Sequence, residues 1–336
     1  EDTTPPTVDV AASALTLECD GLGNTAQIDN WLNNQGNASA TDIAGIVSWT
    51  QDYAGLSDEC GATGSASVTF TATDECGNTT TTTAIVSVTD TAAPTLDVAA
   101  SDSTIACDGT GGGTELAAWL ANNGGAIASD TCGSVTWTND HSALSDECGA
   151  TGSTTVTFTA TDDCGNSSTT TATFTIEDNT APTIDVVAVD QTVEADGTGN
   201  NSELTAWLNS HGGATASDAC GTVTWTNDFA SLSDLCGATG SATVIFTATD
   251  DCGNSSTTTA TFTIEDTTPP TVDVAASALT LECDGLGNTT QIDSWLNSHG
   301  NATATDIGGT VSWAHDYTGL SDECGATGSA TVTFTA

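Results

Sequence analysis

The stretch Ser67-Val68-Thr69-Phe70-Thr71-Ala72-Thr73-Asp74-Glu75-Cys76-Gly77-Asn78 decides how this chain folds. Val68, Phe70 and Ala72 alternate with threonines, the period-two pattern of a strand that buries one face. Working outward, Thr82 to Val88 reads as a second strand that closes the unit, while Thr7 to Val10, Leu15 to Glu18 and Ile46 to Thr50 read as short strands before it. Gly, Asp and Asn turns separate them. Strands at this spacing predict an all-β fold, an immunoglobulin-like β-sandwich. One segment breaks the pattern. Thr25 to Asn33 places Ile28, Trp31 and Leu32 at i, i+3 and i+4, which predicts one short inserted helix, capped by Thr25 and ended by Gly36. The same helix returns at Leu116-Ala117-Ala118-Trp119-Leu120. Its Trp and Leu are expected to seal the sandwich; a carbohydrate-binding Trp is the competing reading.

The whole unit recurs. Glu1-Asp2-Thr3-Thr4-Pro5-Pro6-Thr7 reappears as Thr89 to Thr95, Glu177 to Thr183 and Glu265 to Thr271, so the starts at 1, 89, 177 and 265 are 88 residues apart. A fixed period of this kind signals a tandem array and sets the domain organisation. Modules are expected at 1–88, 89–176, 177–264 and 265–336. The fourth lacks 16 residues of a full copy (4 × 88 = 352, against 336), the counterpart of Thr73 to Val88. The chain therefore reads as a piece of a longer array, or as one whose last module is completed by a strand from a neighbour. Glu265 to Thr289 repeats Glu1 to Thr25 residue for residue, which suggests a super-period of three modules.

The chain has no Lys or Arg and a formal net charge of −45. Nucleic acid and anionic membrane surfaces bind through Lys and Arg that release counterions, so both are excluded as electrostatic partners. Self-repulsion of this size opposes a compact state unless cations are bound or the surroundings are rich in salt. No apolar run is long enough to span a bilayer. Twelve cysteines in small modules suit an oxidising, extracellular compartment.

The stretch Gly64 to Asn78, recurring as Gly152 to Asn166 and Gly240 to Asn254 and followed by a Thr-rich strand, resembles the hyalin-repeat (HYR) family. It looks especially like the Cys-containing HYR-like tandem repeats of secreted Bacteroidetes surface proteins. The resemblance covers every module and implies an immunoglobulin-like fold with an adhesive or structural role outside the cell. One departure matters. The hyalin-repeat cysteine of the last strand is absent, since Thr79 to Val88 holds none, so disulfide pairing is not carried over.

Carboxylates crowd the turns and module junctions. Asp2 is expected beside Asp74, Glu75 and Asn78 of its own module, and tandem packing adds the far end of the preceding module. For the second junction this gathers Asp90, Asp162, Asp163 and Asn166 with Asp58 and Glu59; Asp178, Asp250, Asp251, Asn254 and Asp266 are the later counterparts. Calcium takes six to eight oxygen ligands, so structural Ca2+ is the expected cofactor. The competing reading is that Asp and Asn fill turns.

The cysteines occupy four module positions, those of Cys19, Cys132, Cys60 and Cys76. Module two has all four (Cys107, Cys132, Cys148, Cys164), module one has Ala44 at the second and module three has Ala195 at the first, keeping Cys220, Cys236 and Cys252; Cys283 and Cys324 lie in module four. An intervening strand separates Cys60 from Cys76 by roughly 20–25 Å at about 3.3 Å per residue, too far for a disulfide. Cys60 is therefore left to pair with Cys19 or with a Cys at the facing end of the next module. No CxxC or Cys/His pair suggests a metal.

Sequons for N-glycans occur at Asn37, Asn78, Asn166, Asn200, Asn254, Asn288 and Asn301. The Bacteroidetes resemblance further implies O-glycan sites at Thr3, Thr91, Ser103 and Thr267. Catalysis finds no support, because the four His (His141, His211, His299, His315) have no repeated Ser or Cys partner. The expected role is structural: a secreted fibre, filament or cell-surface stalk whose partners are neighbouring modules or copies of itself. An adhesin that grips polysaccharide through its loops is the alternative.

Overall fold

The computed structural model describes residues 2–43, 45–233, 237–321 and 327–336; Cys236 and Cys324 lie outside them. Module one is built from β1 (Thr7–Val10), β2 (Leu15–Glu18), α1 (Thr25–Asn33), β3 (Ser39–Thr41), β4 (Ser48–Gln51), β5 (Gly64–Thr73) and β6 (Thr79–Thr89). Two sheets result, one of four strands in the order β2-β6-β5-β4 and one of two strands, β1-β3. β5 and β6 run antiparallel from Gly64 opposite Val88 to Thr73 opposite Thr79. β2 lies parallel to β6, with Leu15 opposite Val86. The sandwich topology recurs at the period of the sequence: Gly152–Asp162 pairs with Ser167–Glu177, and Gly240–Thr249 with Ser255–Glu265. The chain is thus a tandem series of immunoglobulin-like β-sandwich modules, each with one short helix. Contacts divide it into Glu1–Asp178, holding modules one and two, and Asn179–Ala336, holding modules three and four.

The core follows from the alternation in β5. Val68, Phe70 and Ala72 are fully buried, and Val86 and Val88 of β6 join them. The helix supplies the opposing layer through Ile28, Trp31 and Leu32, all buried. Trp31 meets Phe70 edge to face at 5.2 Å, a geometry favoured by the ring quadrupoles. Its indole N–H donates to the Ser13 carbonyl at 2.9 Å, so the ring is fixed at both ends. The same pair returns as Trp119–Phe158, Trp207–Phe246 and Trp295–Phe334. The helical Trp is a core residue in module one, 5% exposed, and this answers the carbohydrate alternative there.

Several local expectations change. β4 begins two residues later than Ile46, and β3 is an added three-residue strand whose pairing with β1 is interrupted by a bulge between Val8 and Val10. Three residues carry too little alternation to be seen in the sequence. The run Thr79 to Thr83 is part of β6, paired with β5 on one side, while β2 reaches only Val86 to Thr89 on the other. Thr25 does not cap α1. The residue before the helix is Asn24, left-handed at φ 52°, with no side-chain cap bond. Its side-chain amide instead donates to the Glu18 carbonyl at 2.9 Å, tying the helix entry to the end of β2. Asp20 holds that loop, its carboxylate accepting the Leu22 and Asn24 N–H groups. Gly36 lies beyond the helix at φ 64°, where a Cβ would come within 3.0 Å of the Phe70 ring.

In module four the two core strands shorten to Ala314–His315 and Phe334–Thr335. A cavity of about 380 Å³ lined by Leu279, Leu281, Ile292, Trp295 and Val332 lies beside them. No helix among the described residues is long and apolar enough to cross a membrane.

Candidate functional site at the module junction

With no cationic side chain available, carboxylates are satisfied by backbone N–H groups and hydroxyls. Asp52 accepts the Thr69 N–H at 2.7 Å, and Asp140, Asp228 and Asp316 repeat this bond in the other modules. The Thr69 N–H holds the Asp52 carboxyl below its usual range. Such bonds stabilise the ionised form and explain how much of the negative charge is tolerated.

The junction between modules one and two joins the loops at one end of module one to the opening face of module two. Two disulfides cross it: Cys19 with Cys132 and Cys60 with Cys164, at Cα separations of 6.1 and 5.1 Å. Of the two partners left open for Cys60, the structure selects the next module. The pairing of Cys60 with Cys19 is overturned, because both sulfurs point out of module one towards different loops of module two. Cys107, Cys148, Cys220 and Cys252 are also disulfide-bonded. Cys76 is an exposed free thiol.

Backbone contact accompanies the covalent bonds. The Ala62 N–H donates to the Cys132 carbonyl at 2.8 Å. Gly61, at φ 56°, lies so close that a Cβ there would stand 2.1 Å from the Cys132 oxygen. The chain crossing from β6 is held by Glu18, whose carboxylate accepts the Thr91 N–H at 2.7 Å and its hydroxyl. Gly61→Ala is therefore expected to open this junction while leaving the module cores intact. The check is hydrogen exchange: protection should fall at Ala62 and around Cys132 but persist along β5 and β6.

Aspartates converge at the opening face of each module. Asp2, Asp42 and Asp74 bring carboxylate oxygens within 4.8 Å of one another, and Asp90 and Asp130 do the same in module two beside Cys132. Cys132 is in a disulfide and offers no thiolate. Asn78 donates to Asp74 at 2.8 Å and to the Asp2 carbonyl at 3.3 Å, and Asn166 binds Asp162 and the Asp90 carbonyl in the same way. The Asn78 amide, with further N–H donors, keeps the Asp74 carboxyl below its usual range. Asp90 differs: burial pushes its carboxyl up, the Ala92 N–H opposes this, and the charges of Asp130, Asp162 and Glu18 add to the rise.

The structure thus brings together Asp2, Asp74 and Asn78, and likewise Asp90, Asp162 and Asn166, as the topology suggested. Asp42 and Asp130 are cluster members that the sequence reading passed over; the signal was their recurrence one residue pair before the second cysteine position. Other candidates point elsewhere. Glu59 bonds Ser57 and Ser65 in its own module, and Asp163 and Asp251 accept from Ser134 and Thr222. Asp58 is exposed, and Glu75 packs against Gly45. Asp178, Asp250, Asn254 and Asp266 are the later counterparts, with Asp218 and Asp306 at the position of Asp42.

The glycan candidates divide by environment. Thr3 is exposed, Ser103 is half-buried, and Thr91 and Thr267 already bond Glu18 and Glu194. The side-chain amides of Asn78, Asn166, Asn200, Asn254 and Asn288 are each engaged in a hydrogen bond, and Asn200 is 3% exposed, so an N-glycan there would first have to break that bond. The side-chain amides of Asn37 and Asn301 donate to Ser hydroxyls over longer distances, 3.3 and 3.4 Å.

No protein-family model and no curated protein sequence matches the chain. Among solved structures it is similar to the protocadherin gammaB4 extracellular domain, with 15% identity over 84% of this chain and 53% of that one, at a TM-score of 0.26. It is also similar to Drosophila N-cadherin EC1-4 (10% identity, 78% and 76% covered, TM-score 0.25) and to mouse cadherin-23 EC22-24 (9%, 79% and 100%, 0.27). The chain spans about half the length of the protocadherin. At these scores the likeness assigns no role, and the fold rests on the strand order described above.

Proposed function

We propose that this chain is a segment of an extracellular structural array, a fibre, filament or surface stalk of modules 1–88, 89–176, 177–264 and 265–336 joined in tandem. The observation that carries the reading is the junction between modules one and two, fastened by two disulfides and by backbone contact. A binding domain on a flexible tether has no need of two covalent bonds across a joint; a load-bearing or spacing element does. The resemblance to hyalin repeats fits the same role. Electron microscopy of the oxidised protein tests it: straight particles of fixed module spacing are expected, and beads on a flexible string would sink it.

The proposal includes structural calcium at the opening face of each module. Asp2, Asp42 and Asp74, or Asp90, Asp130 and Asp162, would hold it. The donor set fits a hard cation: clustered carboxylates, no imidazole, and a raised Asp90 that a positive charge would relieve. When bound, the ion neutralises the local repulsion and stiffens the face on which the preceding module rests. Calorimetric titration of the full chain with calcium is expected to give heat and a higher melting temperature, worth about 2.7 kcal/mol at a hundredfold excess over Kd. Asp130→Asn should remove one class of site. Absence of both heat and melting shift dismisses the ion.

A further inference from the structure

The cysteines of the two faces at a junction match one another, and we infer that the opening face of module one receives a module end of the module-three kind, fastened by a single disulfide from Cys76. This rests on the tandem array and names what stacks on what.

At the first junction, Cys19 and Cys60 are answered by Cys132 and Cys164. At the junction of modules three and four both halves of the first pair change together. Ala195 stands at the position of Cys19 (19 + 176 = 195), and Gly308 at that of Cys132 (132 + 176 = 308). The backbone arrangement is kept, since Ala238 N–H donates to the Gly308 carbonyl at 3.0 Å as Ala62 does to Cys132. The close approach is kept as well: a Cβ on Gly197 would stand 3.0 Å from the Ile307 oxygen, as one on Gly21 would stand 2.6 Å from that of Thr131. Ile307-Gly308 thus marks a face that lacks the second cysteine, whereas Thr131-Cys132 and Ala219-Cys220 mark faces that have it.

Module one has a face of the former kind, Ile43-Ala44, together with Cys76 at the position of Cys164. Ile43 is 101% exposed and Ile46 76% exposed, beside a free thiol whose counterpart one period on is bonded to the preceding module. By the pairing at the first junction, the matching end carries a small residue at the position of Cys19 and a cysteine at the position of Cys60. Among the four modules only the third qualifies, with Ala195 and Cys236; the others have Cys19 and Cys60, Cys107 and Cys148, or Cys283 and Cys324. A cysteine in place of Ala195 would face a methyl group and form no bond. The contact is heterologous, joining two different faces, and repeated along an open filament it gives the order one-two-three-one. The bond forms by oxidation of two thiols, with two protons and two electrons passing to dioxygen or to a small-molecule disulfide.

The peptides identify themselves. Glu75-Cys76 differs from Asp163-Cys164 and Asp251-Cys252, and Leu235-Cys236 differs from the Glu-Cys of the other three modules. Native protein extracted without reductant, alkylated and cleaved at acidic residues should yield the Cys76 peptide joined to the Leu235-Cys236 peptide. A Cys76 joined to a Glu-Cys peptide or to another Cys76, or found alkylated, overturns the inference. The array reading survives such a result so long as Cys60–Cys164 peptides are recovered. In the 336-residue chain, Ala195→Cys with Gly308→Cys should lose two hydrogens in mass and give a joined peptide, while either single variant gains one alkylatable thiol over the parent. Two more alkylatable thiols in the double variant than in the parent chain, which already carries the free Cys76, would also overturn the pairing rule.

Discussion

Replacing Cys60 and Cys164 together by serine is expected to cost the unit formed by modules one and two about 4 kcal/mol. The bond closes a span of 104 residues, and loop-closure entropy in the unfolded chain gives a value close to 4.7 kcal/mol for loops of about 100 residues. The surviving Cys19–Cys132 bond shortens the effective loop to 41 + 32 = 73 residues, from 19 to 60 and from 132 to 164. Because the cost grows only with the logarithm of length, the reduction is a few tenths of a kcal/mol. Denaturant unfolding of the oxidised double variant against the parent checks this, with hydrogen exchange to place the loss in residues 2–178. A change below about 1 kcal/mol would mean that modules one and two unfold independently and that the bond restrains only their orientation.

The second large effect is expected inside a module. Phe70→Ala should destabilise module one by about 3–5 kcal/mol, the range for truncating a buried aromatic residue. Phe70 is fully buried, and its ring touches both layers, meeting Trp31 edge to face and lying against Gly36. Neither neighbour can move in to fill the space: Trp31 is held by the Ser13 carbonyl, and Gly36 has no side chain. The effect should be local, since each module has its own Trp–Phe pair. Calorimetry should show the transition of the unit formed by modules one and two displaced to lower temperature and the rest in place. A uniform shift of all transitions would show that the modules fold as one cooperative body.

The two variants separate what was legible in the chain from what was not. The fate of Phe70 follows from the alternation of residues 67–73, because period two with one apolar face is a local property of a strand. The helix at Thr25–Asn33 was legible for the same reason, through Ile28, Trp31 and Leu32. Its start was not, since Asn24 satisfies the Glu18 carbonyl across the loop rather than capping its own helix. At the junction, Asp2, Asp74 and Asn78 could be grouped from the sandwich topology, but Asp42 comes from the loop after a strand too short to recognise.

By itself the sequence determined the period, the all-β class, the buried alternating positions and the acidic junctions, because these depend on composition and on neighbours close along the chain. The tertiary structure decided which cysteines meet. Cys19, Cys60, Cys132 and Cys164 are equally plausible partners on paper, and only the docking of one module on the next brings the pairs within bonding distance. Residues more than a hundred positions apart are joined there, and no local pattern encodes a distance of that kind.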